Sequence, residues 1–172
     1  MFDLFKRYYA IRLRPHIIEK KLILNKDYSK NPLVQKQIEQ YTSNFAKDWL
    51  NSVMTESLKY RAYVQKVLAE NNLPQELQYL PVIESSYKIS ALSKSGAYGM
   101  WQFMKNSISP FNIRVNSWMD ERKDPCLSTN AAVKKLKENY DYLGSWELAL
   151  AAYNCGLGAM NRTIKKAGKS DF

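Results

Sequence analysis

At 172 residues, with 45% apolar and 24% charged side chains, the chain has the size and make-up of one soluble domain that buries roughly 70% of its unfolded surface. Its 26 Lys and Arg against 16 Asp and Glu leave a formal charge of +10, which suits nucleic acid, an anionic membrane face or an acidic wall polymer alike. A single histidine, His16, argues against histidine-rich metal sites and Ser-His or Cys-His nucleophiles, and no zinc finger, RNP-like run or helix-turn-helix signature supports nucleic-acid binding.

Nearly every segment reads helical. Residues 3–24 carry Leu4, Phe5, Tyr8, Ile11 and Leu13, then Ile17, Ile18, Leu22 and Leu24, with Pro15 between, which predicts a broken, basic, amphipathic arm. Such an arm suits peripheral contact with a membrane face or a cell-wall protein, although packing on its own domain is the favoured expectation. Asn31 followed by Pro32 reads as a cap and first helical residue, and Leu33, Val34, Ile38, Tyr41, Phe45, Trp49 and Leu50 continue one helix at spacings of three and four. A second helix is predicted near 56–70, with Leu58, Tyr63, Val64, Val67 and Leu68 on one side. Pro74 opens the next, which runs to Glu84 and is kinked by Pro81.

Residues 85–96 are rich in Ser and Lys and predict a loop, with at most a small hairpin near 90–98. A short helix is expected over 99–108, ended by Ser109 and Pro110, followed by irregular chain over 111–127. Ser128 or Thr129 is expected to cap a helix striped by Ala132, Leu136, Tyr140 and Leu143. An apolar helix follows from Trp146 to Gly156, then a basic one over about 158–167. The fold class is therefore all-α.

Cys126 and Cys155 are expected as small buried residues rather than a disulfide. No run approaches the roughly 20 apolar residues of a membrane span. The first residues lack a signal-peptide core, so the protein is cytosolic unless an export signal lies outside this chain.

Three segments carry chemistry. Glu84 ends an apolar run of Leu80, Val82 and Ile83, surroundings that keep a carboxyl protonated near neutral pH, as a general acid requires. Its helix-spaced neighbours are Lys88 and Leu80, so no strong cation is fixed beside it in sequence. Gly96 to Gly99, with Met100, Trp101, Gln102 and Phe103, suits a groove wall for a polar ring-shaped ligand. Tyr153, Asn154 and Gly156 add a phenol, an amide and a turn. Together they read as a sugar-cleaving site built on one carboxylate. Asp120, Glu121 and Asp124 offer further carboxylates for a two-acid glycosidase, but Arg114, Arg122 and Lys123 among them predict surface ion pairs worth about 0–1 kcal/mol.

Four blocks in order, LPQELQYLPVIESSY (73–87), SKSGAYGMWQFM (93–104), DERKDP (120–125) and WELALAAYNCGLG (146–158), resemble the lytic transglycosylases of the soluble-transglycosylase, goose-lysozyme-like type. The resemblance is strong over about 57–172, looser over 31–56 and absent over 1–30. It implies a lysozyme-like helical catalytic domain at 57–172 behind a basic helical arm at 1–56. The implied reaction cleaves peptidoglycan glycan strands between N-acetylmuramic acid and N-acetylglucosamine without water, leaving a 1,6-anhydro end. It also implies a periplasmic or cell-envelope setting, no nucleic-acid partner, no cofactor and no metal.

By the same resemblance Glu84 is the single catalytic acid, then the base. Ser93 helps polarise the substrate's N-acetyl group or stabilise the closing ring, and Gln102 contacts sugar near the cleaved bond. Met100 and Met104 line the groove, Tyr153 and Asn154 flank the acid, and Ser85 positions it. Lys105 stands where the family has proline, and the chain stops at Phe172 where family members continue, so the groove is expected open on one side. A hydrolytic muramidase and a non-catalytic wall-binding or scaffold module are the alternatives.

Overall fold

The computed structural model describes residues 21–168; most of the predicted arm over 3–24 lies outside them. Seven α-helices are present among the described residues: α1 (Pro32–Thr42), α2 (Asn44–Ser57), α3 (Arg61–Glu70), α4 (Leu80–Ser85), α5 (Pro125–Leu143), α6 (Trp146–Cys155) and α7 (Leu157–Ala167). They carry no strands beyond isolated bridges, so the all-α expectation holds.

The predicted helix over 31–50 is two helices. Asn31 caps α1 by accepting from the Leu33 amide, as the sequence indicates. At Ser43 the backbone turns extended, with ψ 153°, and the Ser43 hydroxyl accepts from the Ala46 amide to start α2. Thr42 and Ser43 also donate to the carbonyls of Ile38 and Gln40. Hydroxyl side chains that bond nearby backbone compete with helix continuation, and here they break it.

Pro81 does not kink a long helix. Gln75–Tyr79 forms a separate 3₁₀ turn, and Pro81 occupies the first turn of the short α4, where its missing N–H has no intrahelical partner to lose. Ser86, at φ 54°, then ends α4.

The helix expected over 99–108 is absent. Tyr98 and Phe103 instead exchange backbone hydrogen bonds at 3.0 and 3.1 Å, and Leu92 bridges Tyr98 on the other side. Gly99 at φ 83° and Gln102 at φ 51° are incompatible with helical chain, and a carbonyl crowds the Gly99 α-carbon. Only short 3₁₀ turns follow, at Lys105–Ser107 and Ser109–Phe111.

Helix α5 begins earlier than expected. Asp124 is its cap, accepting from the amides of Cys126 and Leu127 at 2.8 and 2.7 Å, with Pro125 at the first position. Ser128 and Thr129 lie buried inside the helix, donating to the carbonyls of Asp124 and Pro125.

The core gathers Val64 and Leu68 of α3, Tyr87, the 100–103 turn, Ala132, Val133 and Leu136 of α5, and Trp146 and Ala149 of α6. Trp101 is wholly enclosed, and its indole N–H donates to the Thr129 hydroxyl at 3.0 Å, so the large aromatic is buried without an unpaired donor. The end of α2 joins this core through Val53, with Leu50 and Met54 packed against it.

The acid-rich turn at 120–124 is not the surface feature the sequence suggests. Arg122 is buried and donates to Asp120 and to the carbonyls of Gly96 and Phe103, at 3.1 and 3.0 Å. Buried Glu121 accepts from the Arg114 backbone and guanidinium. The role is structural, as expected, but the pairs bind the 96–103 turn to α5 from inside. Both cysteines are free, and both are exposed rather than buried.

Candidate active site

Glu84 sits in the last turn of α4, half-buried, on the wall of a cleft of about 380 Å³. The opposite walls are Gln102, Met104, Asn106 and Ser107 from the turn after Gly99, Lys135 from α5, and Tyr153 to Gly156 from the end of α6. A larger, shallower hollow of about 450 Å³ lies on α1 between Leu33, Ile38 and Tyr41, but it holds no carboxylate, imidazole or amine. The chemistry belongs to the first.

Among the described residues nothing donates a hydrogen bond to the Glu84 carboxyl, which leaves it open to a ligand. Burial raises its pKa above the ordinary value, because desolvation disfavours the charged form, and the Lys135 cation pulls the other way. The outcome is a carboxyl that holds its proton more tightly than an exposed glutamate.

Ser85 does not face the cleft. Its hydroxyl donates to the carbonyls of Met100 at 2.7 Å and Pro81 at 3.2 Å, fastening the end of α4 to the neighbouring turn. Met100 itself is 1% exposed, a core residue and not a groove wall. The Gly99 turn directs it inward beside Trp101 and Phe103, while Met104 reaches the cleft. Gln102 lines the cleft, and its amide also donates to the carbonyls of Gly99 and Ala91 at 2.8 and 3.1 Å. Ser93 lies apart from the lining: its hydroxyl accepts from the Ala97 amide at 2.9 Å and closes its own loop.

Tyr153 is among the residues lining the cleft, but it is buried and its hydroxyl donates to the Trp101 carbonyl at 2.8 Å. Burial, with Glu84 nearby, pushes that phenol well above its ordinary pKa. Asn154 is exposed at the cleft edge.

Sequence reasoning missed Asn106, Ser107, Cys155 and, above all, Lys135. The ammonium of Lys135 donates to the Tyr153 carbonyl at 2.9 Å and lies 4.4 Å from the centre of that ring. A signal was present. Lys134 and Lys137 have acids four residues on, Glu138 and Asp141, whereas Lys135 has Asn139, and it stands beside the apolar stripe of Ala132 and Leu136.

A cleft lined by one carboxyl of raised proton affinity, by amide side chains and by a serine hydroxyl can donate a proton to a polar ligand and take one back. Comparisons with known proteins agree in direction. Residues 62–172 match the family model described as the transglycosylase SLT domain. The chain is 30% identical over 136 residues to membrane-bound lytic murein transglycosylase D of Escherichia coli (strain K12), covering 78% of this chain and 30% of that protein. It is 35% identical over 119 residues to a protein named for tributyltin chloride resistance from Alteromonas sp. (strain M-1), covering 67% of this chain and 56% of that one. It is 33% identical over 117 residues to a peptidoglycan transglycosylase of Escherichia phage T7, covering 66% of this chain and 9% of that protein. The chain thus spans about 30% of the length of the murein transglycosylase it matches.

Proposed function

This chain belongs to the transglycosylase SLT family, whose model matches residues 62–172, and from that premise we propose that it is a peptidoglycan lytic transglycosylase with Glu84 as its single proton-transfer group. The proposed catalytic unit is 57–172, working in the cell envelope.

Glu84 in its protonated form gives its proton to the glycosidic oxygen between N-acetylmuramic acid and N-acetylglucosamine. The C1–O bond breaks, the N-acetylglucosamine hydroxyl leaves, and C1 of the muramic unit becomes oxocarbenium-like. The Glu84 carboxylate then removes the proton from the C6 hydroxyl of the same sugar as that oxygen bonds to C1. The 1,6-anhydro ring forms and Glu84 regains its proton.

One observation carries this reading: among the described residues, Glu84 is the single carboxylate lining the cleft. A hydrolytic glycosidase uses a second carboxylate to activate water or attack the sugar. The nearby candidates are otherwise engaged, Asp120 with Arg122, Glu121 with Arg114, and Asp124 as the cap of α5. An internal hydroxyl nucleophile needs no second acid.

Gln102, Met104 and Asn154 are the proposed sugar contacts, and Tyr153 lines the cleft beside them. Ser85 and Ser93 shape the loops around them, and Met100 supports the wall from behind.

Mass spectrometry of fragments released from purified peptidoglycan tests the proposal. Anhydro-muramic ends are expected, and Glu84→Gln is expected to slow release by about 10²–10⁴-fold, the usual contribution of a general acid. Fully reducing muramic ends identify a hydrolase instead, and unchanged release by Glu84→Gln removes Glu84 from the chemistry.

A further inference from the structure

Helix α5 carries three lysines with different surroundings. Lys134 and Lys137 are exposed and pair with Glu138 at 3.9 Å and Asp141 at 2.9 Å. Lys135 turns the other way, half-buried in the wall of the cleft. Its ammonium donates to the Tyr153 carbonyl at 2.9 Å and lies 4.4 and 5.6 Å from the ring centres of Tyr153 and Phe103.

Among the described residues no carboxylate pairs with it. An ammonium has three donors, and the structure gives one of them an oxygen acceptor. Aromatic faces attract a cation but leave its charge unneutralised. Removing a cation from water without an anionic partner is costly, and burial accordingly lowers the Lys135 pKa while Glu84 and Cys155 draw it back up. The cleft therefore holds an amine that interacts electrostatically with the acid and has donor capacity to spare.

The proposed substrate carries the matching group. Muramic acid bears a lactyl ether ending in a carboxyl, which is either free or joined by an amide to a peptide with carboxylates of its own. Resting on the glycan reading above, we propose that Lys135 is the carboxylate-binding residue of the cleft and selects glycan units bearing a free carboxylate close to the cleaved bond.

The placement has a consequence for the acid. Among the described residues, the titratable side chains lining the cleft are Glu84 on α4, Lys135 on α5, and Tyr153 and Cys155 on α6; the 102–107 segment contributes Gln102, Met104, Asn106 and Ser107. A carboxylate seated on Lys135 neutralises the cation that favours ionised Glu84 and adds negative charge near it. Both changes favour the protonated acid. Binding of the charged substrate thereby arms the proton donor.

The test uses the Glu84→Gln chain, whose turnover is expected to be about 10²–10⁴-fold slower, and three tetrasaccharides of alternating N-acetylglucosamine and N-acetylmuramic acid. One has free lactyl carboxyls, one has them capped as methylamides, and one has them joined to a tetrapeptide. Calorimetry on Glu84→Gln, and on Glu84→Gln with Lys135→Met or Lys135→Arg, gives the affinities. The free acid is expected to lose about tenfold with Lys135→Met and to be retained by Lys135→Arg, the methylamide to be unaffected. If the tetrapeptide probe shares the loss, the peptide carboxylates are a second source; if it behaves as the methylamide does, the lactyl group is the only one. Equal weakening of all three probes, or of none, overturns the assignment while leaving the glycan site intact. Failure of every probe to bind the parent chain overturns the glycan reading and this inference with it.

Discussion

The Tyr153 hydroxyl donates to the Trp101 carbonyl at 2.8 Å, so the phenol nearest the proposed acid is a strut between α6 and the turn that carries Gln102. Its proton is committed to the backbone, and burial holds the phenol well above its ordinary pKa. Tyr153→Phe is therefore expected to act first on stability. It strands a buried carbonyl, which costs about 1–3 kcal/mol, and lowers the melting temperature by several degrees. Turnover falls only a few-fold. A loss beyond 10²-fold with an unchanged melting temperature is the result that makes the phenol a chemical participant.

Gly99 controls the opposite wall. Its φ is 83°, and a Cβ placed there lies 2.0 Å from the Arg122 carbonyl oxygen. The obstacle is backbone, not a flexible side chain, so Gly99→Ala must push the 99–103 turn away from the 120–124 turn. A destabilisation above about 3 kcal/mol is expected in urea unfolding. Gly96 at φ 88° has open space around it. Gly96→Ala meets only the backbone penalty of roughly 1–2 kcal/mol, and a reversed order of the two variants contradicts this account of the turn.

These turns also show what the sequence could and could not convey. Some helix boundaries were legible: Asn31 with Pro32 opens α1, and α6 runs from Trp146 and ends before Gly156. Glu84 was legible as a carboxyl of raised proton affinity, which burial in the cleft gives it. The 99–108 segment was misread because its composition suits a helix, while its conformation is imposed by Arg122, whose bonds to Gly96 and Phe103 span 26 and 19 residues. The resemblance implies Met100 in the groove, but the direction of a side chain depends on the turn that carries it, and this turn buries Met100. Lys135 escaped because helical spacing gives a face, and only packing of α5 on α6 gives that face a cleft.

Arg122 and Asp120 predict a particular acid sensitivity. The Arg122 guanidinium, bonded to Asp120 at 2.9 Å, holds the Asp120 pKa below its ordinary value. A carboxyl with a lowered folded pKa contributes stability that is present above its unfolded value and lost as pH falls through the folded one. Asp120→Asn should therefore be less stable than wild type at pH 7 and flatter in acid, the two converging below about pH 4. Arg122→Met, which removes the cation paired with the part-buried Asp120 carboxylate and strands the Gly96 carbonyl, should cost about 3–5 kcal/mol at pH 7. Parallel pH–stability curves for wild type and Asp120→Asn are incompatible with this pairing.

Lys135 acts on Glu84 through its charge, which makes a pH–rate profile informative. The proposed first step needs protonated Glu84, so kcat/KM falls as pH rises through the pKa of the free enzyme's acid. Burial moves that fall to higher pH than for an ordinary glutamate, and the Lys135 cation restrains the shift. Lys135→Met is expected to move the basic limb to higher pH on a substrate whose carboxyls are capped, where binding to Lys135 plays no part. A limb that stays put, or moves to lower pH, shows that the lysine does not reach the acid electrostatically.

Glu84→Gln is also expected to stabilise the fold while it slows turnover. With the pKa raised in the folded state, the folded chain holds the Glu84 proton more tightly than the unfolded chain does. Stability is then lost as pH rises from the unfolded pKa through the folded one, so at neutral pH ionised Glu84 is a net cost. An amide of the same shape removes the ionisation, and the melting temperature at pH 7 is expected to rise by about 1–4 °C. The gain should shrink towards zero near pH 4, where both states of wild type are largely protonated at this position. Thermal melts of the two chains at pH 4 and pH 7 measure it directly. A variant that is less stable at pH 7 would place Glu84 in a structural contact that the open face of its carboxyl does not show.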